Sequence, residues 1–206
     1  MIKSQKEKFN LPNDISYFNC ANIAPLMNKL SALGKEAIDL RERPYKISRE
    51  DWFLPTENLK HNFAKLINCD NHKRIAIIPS VSYGIASVAK NIKLNSNNEI
   101  LVVDEQYPSN YYSWVNISEE CGAKIKIIRP PNEPKDKGRI WNEKILDAIT
   151  EKTRIVALGN LHWTDGTLFK LQDISKKAKL HDSLLIIDGS QSIGALPFDI
   201  SKIGAD

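Results

Sequence analysis

The chain has 206 residues, 42% hydrophobic and 26% charged, which is enough for one sizeable α/β domain with a buried core and ordinary for a soluble globular protein. Its net charge of +4 comes from 29 basic and 25 acidic residues spread along the sequence. That spread is too diffuse for a nucleic-acid-binding face, and the densest basic stretch, MIKSQKEK, reads as a solvated arm.

Helical and strand patterns then alternate. PLMNKLSALGKEAIDLRER (25–43) carries apolar residues at helical spacing and should end before Pro44. PTENLKHNFAKLI (55–67) predicts a second amphipathic helix, with Thr56 as its cap and Leu59, Phe63, Leu66 and Ile67 on one face. RIAIIP (74–79) reads as a strand leading into a helix that starts within SVSYGIASVAKNI. EILVVD (99–104) is a strand, SNYYSWVNISEECG (109–122) a helix closed by glycine, and AKIKIIR (123–129) a strand. The proline-rich, charged PPNEPKDKGR (130–139) predicts a surface loop. NEKILDAIT (142–150) is helical, RIVALG (154–159) a strand, and LQDISKKAKLHD (171–182) a helix before the apolar run that ends at Asp188. Apolar strands separated by helices predict a three-layer α/β/α domain with a mostly parallel sheet. The first 54 residues read as a segment appended to that domain, which occupies 55–206.

Cys20, Cys69 and Cys121 lie far apart without a C-x-x-C pair, which gives no disulfide frame. His61, His72, His162 and His181 are equally scattered, so a metal site has little support. Neither a signal-peptide core nor a membrane-length apolar run is present, so a cytoplasmic enzyme or binding domain is expected.

Three strand ends carry polar residues, and ligands of open α/β sheets bind at the carboxyl ends of strands. Ser80, Ser82 and Gly84 lie where a strand gives way to a helix, where backbone N–H groups and the Ser82 hydroxyl could hold a phosphate; a plain serine cap is the alternative. Tyr107, fixed by Pro108 just past a strand, could stack on a planar ligand or simply fill the surface. Asp188 could stabilise a protonated heteroaromatic ring while Gln191 donates to a ring oxygen; Asp-Gly-Ser is also a good turn in which the acid merely caps the backbone. Phosphate site, ring stacker and pyridinium acid together describe pyridoxal 5'-phosphate (PLP).

On these segments the sequence resembles the class V branch of fold-type I PLP enzymes, which includes cysteine desulfurases, kynureninases and isopenicillin-epimerase-like proteins. YFNCANIAPLM (17–27) is similar to the family's opening strand and Gly-Pro-Leu turn, with Ala24 where glycine is usual. PSVSYGI resembles its phosphate cup, EQYPSNYYSW its kynureninase-like aromatic-Pro-Ser segment, and HWTDGTLFKL (162–171) the stretch that faces cofactor and substrate. IIDGSQSIGALPFDI matches the Asp-Gly-x-Gln signature. The segments follow the family's order over nearly the whole chain.

The resemblance implies that Asp188 pairs with the pyridine nitrogen, Gln191 contacts the ring hydroxyl, Ser82 holds the phosphate and Tyr107 stacks on the ring. Gln106 stands where desulfurases carry a stacking histidine, and His162 and Trp163 lie at the cofactor's outer edge. It further implies an amino-acid substrate, a homodimeric full-length form, and no nucleic-acid or membrane partner. The family's Schiff-base lysine is expected shortly beyond Asp206, together with a small C-terminal domain. The chain therefore reads as an N-terminal portion without a catalytic residue of its own, inactive alone and with an exposed apolar sheet edge. A non-catalytic remnant or binding module that keeps the fold is the rival. A nicotinamide domain and a nucleophile-elbow hydrolase are disfavoured, because no G-x-G-x-x-G follows a strand and G-x-S-x-G is missing.

Overall fold

The computed structural model of the protein describes residues 3–132 and 135–205. The chain divides into two compact units, residues 1–58 and 59–206.

The first unit is built around helix α1 (Asn28–Arg41). The helix stops three residues before Pro44, which opens a short 3₁₀ turn instead of continuing it. The Tyr17 hydroxyl donates to the Ile23 carbonyl at 2.6 Å, and Phe9 bridges to Met27. No described residue of this unit is buried. Helix α2 (Leu54–Leu66) follows. Thr56 lies inside that helix and does not cap it, and the apolar face expected from Leu59, Phe63 and Leu66 is exposed, with Ala64 and Ile67 the buried positions.

The second unit alternates helices and strands: α3 (Val81–Asn91), β1 (Glu99–Val103), α4 (Tyr112–Cys121), β2 (Lys124–Ile128), α5 (Lys137–Ala148), β3 (Thr153–Gly159), α6 (Leu171–Lys179), β4 (Leu184–Asp188) and α7 (Ile200–Ile203). The sheet is wholly parallel, in the order β2-β1-β3-β4. Side chains alternate across each strand, so the sheet builds a core on both faces. Leu101, Val103, Val156, Leu158 and Leu185 pack with Trp141, Ile145 and Ile174 of α5 and α6 on one face. Ile100, Val102, Ile155 and Ala157 pack with Ile85, Ala89 and Trp114 of α3 and α4 on the other. The expected three layers are present. Gly122 closes α4 at φ +77, its N–H bonded to the Ser118 carbonyl at 2.8 Å, as the helix–glycine pattern predicts.

Two further expectations are corrected. Residues 74–79 do not form a strand: a 3₁₀ turn at His72–Arg74 leads into extended backbone that pairs with no strand among the described residues. An apolar run needs a neighbour to become a strand, and Ile77 and Ile78 stay exposed. The loop read over 130–139 is also shorter, because α5 starts at Lys137, directly after Asp136 in the left-handed region at φ +59. Glu133 and Pro134, within that loop, lie outside the described residues.

Candidate functional site at the strand ends

The chain leaves β1 for β2 on one side and later returns to place β3 on the other. Winding therefore reverses between β1 and β3, and the carboxyl ends of strands at such a reversal form a natural crevice. Pairing continues in register from Ile155 opposite Leu184 to Gly159 opposite Asp188, so the ends of β3 and β4 are level. The Asn160 N–H extends the ladder by donating to the Asp188 carbonyl at 3.2 Å. Gly159 is required here, since a Cβ would lie 2.6 Å from the Leu161 carbonyl oxygen.

Beside β4, a cavity of about 490 Å³ is lined by Val81, Gly84 and Ile85 of α3, by Asp188, Gly189 and Ser190, and by apolar side chains including Phe63, Ile78 and Ile193. The structure thus brings the first turns of α3 and Asp188 to one cavity, whose lining does not include Ser82, Tyr107 or Gln191. Ser80, in extended backbone, is the helix cap, and its hydroxyl accepts from the Tyr83 N–H at 3.1 Å. The cap reading is correct for Ser80 and leaves Ser82 exposed on the first turn, where helix N–H groups and the dipole favour an anion. Asp188 also makes the turn contact expected of Asp-Gly-Ser, with Oδ1 accepting from the Ser190 N–H at 3.0 Å. A carboxylate has acceptor capacity on both oxygens, so this bond leaves Oδ2 for a ligand. Gln191 is half-buried three residues on.

A second cluster stands at the ends of β1 and β3. Tyr107, 44% exposed, meets Trp163 edge to face, with ring centroids 5.4 Å apart at 89°. His162 is buried against Trp141 and Phe169, which also meet each other edge to face. Its Nε2 lies 2.9 Å from the Asp104 carbonyl, and its Nδ1 lies 2.9 Å from the Thr164 hydroxyl. A carbonyl only accepts, so Nε2 carries the hydrogen and Nδ1 takes the Thr164 proton. Both ring nitrogens are thereby engaged by the protein itself. The Gln106 amide donates to the Ala157 carbonyl at 3.3 Å, so its side chain is engaged by β3.

Asp165, at the far side of this cluster, pairs with Lys137 and lies 3.6 Å from His162 Nδ1. Burial opposes its ionisation, but hydrogen bonds from Lys137 and Thr167 and the lysine's charge outweigh it and hold the carboxyl down at about 2. Sequence reasoning missed this pair, whose members lie 28 residues apart, and also the apolar lining supplied by Phe63, Ile78 and Ile193. Only the i, i+3 spacing of His162 and Asp165 hinted that the HWTDG segment folds back on itself.

Residues 50–206 match the aminotransferase class-V family. The chain belongs to that family. It is 30% identical over 155 residues to a protein named probable cysteine desulfurase from Borreliella burgdorferi, covering 73% of this chain and 35% of that one. Isopenicillin N epimerase of Streptomyces clavuligerus is 24% identical over 147 residues, with 71% and 36% covered. Among solved structures, a variant of C-DES with glycine covalently linked to its PLP cofactor superposes with a TM-score of 0.83 at 22% identity, over 99% of this chain and 54% of that one. The cysteine desulfurase CsdA of Escherichia coli superposes with a TM-score of 0.80 at 19% identity, over 98% and 51%. At that identity the likeness is one of fold. The chain spans about a third of the length of these curated relatives and half that of the solved structures.

The family uses PLP, and the residues here fit that group. A helix N-terminus suits the phosphate, an apolar cavity suits the ring, and Asp188 in its lining suits a protonated ring nitrogen. Among the described residues no group of three or more potential ligands could hold a metal ion, and no helix is long and apolar enough to cross a membrane.

Proposed function

We propose that this chain is the cofactor-holding part of a PLP-dependent enzyme that acts on an amino acid, by transamination, desulfuration or lyase chemistry. One observation carries the reading: the first turns of α3 and Asp188 line the same cavity at the carboxyl end of a parallel sheet. When bound, the cofactor supplies an electron sink for the carbanion formed at the substrate α-carbon.

The chain's own residues bind and orient. The N–H groups of α3's first turn and the Ser82 hydroxyl take the phosphate. Tyr107 covers one face of the ring, and the Gln191 amide donates to the ring oxygen. The free Asp188 oxygen accepts from the protonated ring nitrogen, a charge-assisted bond that keeps that proton in place. Phe63, Ile78 and Ile193 give the cavity apolar walls against which the ring can pack.

Titration with pyridoxine 5'-phosphate tests the reading. The compound keeps phosphate, ring and ring nitrogen but has no aldehyde to react with surface lysines. Saturable binding is expected, and Asp188→Ala should weaken it by about 10- to 100-fold, the range of a charge-assisted hydrogen bond. No saturable binding, or equal affinity in Asp188→Ala, would sink the proposal.

A further inference from the structure

Three successive residues of the segment that leaves β1 are held by the end of β3 and the loop behind it. The Asp104 carbonyl accepts from His162, the Glu105 carbonyl accepts from the Trp163 indole N–H at 2.7 Å, and the Gln106 amide donates to the Ala157 carbonyl. Consecutive ring N–H donors thus grip consecutive carbonyls across the point where the winding of the sheet reverses. Glu105 sits in the left-handed region at φ +50, a conformation that a side-chain-bearing residue holds only when its surroundings fix it. Tyr107 emerges two residues later and opens the 3₁₀ turn Pro108–Asn110.

Trp163 differs from its neighbour in this grip. His162 is sealed in the core, at 4% exposure, whereas Trp163 is 48% exposed. Burial alone does not account for an indole there. Its N–H is spent on the Glu105 carbonyl, and its ring stands edge-on to Tyr107. A phenol on a strained loop would otherwise turn freely about its side-chain bonds. An orthogonal aromatic neighbour restricts the ring's orientation, and the indole N–H fixes the backbone that carries it.

We infer that Trp163 is a positioning residue: it sets the backbone of residues 104–107 and the ring plane of Tyr107, and through Tyr107 the face on which a planar ligand stacks. The inference deepens the functional reading above and rests on it for the identity of that ligand. The positioning itself can be read without any ligand.

The experiment uses the full 206-residue chain with Trp163→Phe, which keeps a ring and removes the N–H, together with Trp163→Ala and Tyr107→Ala. In the unliganded protein, hydrogen exchange at the Asn110 and Tyr111 amides, which close the turn after Tyr107, should accelerate about 3- to 10-fold in Trp163→Phe, as expected for the loss of one hydrogen bond. Exchange equal to wild type would overturn the positioning role. Titration with pyridoxine 5'-phosphate is the second readout. Trp163→Phe should bind about 3- to 10-fold more weakly, and Tyr107→Ala with Trp163→Ala together should bind no more weakly than Tyr107→Ala alone, because Trp163 acts through Tyr107. Independent losses that multiply in the double variant would overturn the coupling. If wild type takes up no pyridoxine 5'-phosphate, the functional reading fails, and the exchange measurement still decides whether Trp163 holds the loop. Should Trp163→Ala not fold, the exchange rates of Trp163→Phe decide between the two outcomes.

Discussion

The two units of this chain both carry many apolar side chains and reach opposite outcomes. In residues 3–58 no side chain is buried; Phe18 is 92% exposed, Tyr45 81% and Ile38 69%. In the strands of the second unit, Ile100, Leu101, Val102, Ile155, Val156, Ala157 and Leu158 are fully buried. The period of a pattern specifies which element forms, but burial requires a neighbour whose surface is complementary. Parallel strands obtain theirs from both sheet faces at once, whereas no residue of α1 is buried.

The largest effect that could break this contrast concerns tryptophan. Trp141 is 1% exposed and donates to the Ile128 carbonyl at 2.9 Å, whereas Trp52 in the first unit is 66% exposed. Trp141→Ala should cost about 3–5 kcal/mol of stability, and Trp52→Ala within about 0.5 kcal/mol of nothing. Denaturant unfolding of both variants measures this, and comparable losses would show that the two units are not as different as they look.

A smaller effect tests how tightly the strand ends are built. Gly159→Ala pushes a methyl against a backbone oxygen that cannot rotate away. It should cost about 1–3 kcal/mol and weaken binding of pyridoxine 5'-phosphate, since the ends of β3 and β4 must part. Unchanged stability and affinity would mean that the crevice tolerates movement there.

The smallest effect is pH-dependent. Because the folded Asp165 carboxyl titrates near 2, below its ordinary value of 3.8, its contribution is complete above about pH 4 and is lost as pH falls toward 2. Its side chain is 28% exposed, so screening holds the contribution to about 1 kcal/mol. Acid unfolding of Asp165→Asn should show correspondingly less of the wild-type stability loss between pH 4 and 2; an identical profile would place that loss elsewhere.

Much of the second unit was legible. EILVV, RIVALG and LLIID are short, continuous apolar runs bounded by polar residues, and buried parallel strands have that form. RIAII has it as well and is not a strand, because pairing depends on a distant partner that no local run reveals. The start of α5 was obscured because KDKGR has the composition of a loop, although Trp141 and Ile145 draw it into the core. At the site, the residue types pointed to phosphate, ring and pyridinium chemistry. Which serine caps α3 and which stays available was not legible, since Ser80 and Ser82 differ only in backbone conformation. The grip of His162 and Trp163 on the β1 loop was equally hidden, because it depends on the left-handed turn at Glu105.

The central claim is that Asp188 holds a protonated ring nitrogen, and the most direct measurement is the ¹⁵N chemical shift of pyridoxine 5'-phosphate labelled at that nitrogen and bound to the protein at an alkaline pH where the free compound's ring nitrogen has lost its proton. A pyridinium shift is predicted for wild type, with return to the neutral-pyridine value in Asp188→Ala at saturating ligand. A neutral nitrogen in wild type, or a pyridinium that survives the loss of Asp188, would contradict the account.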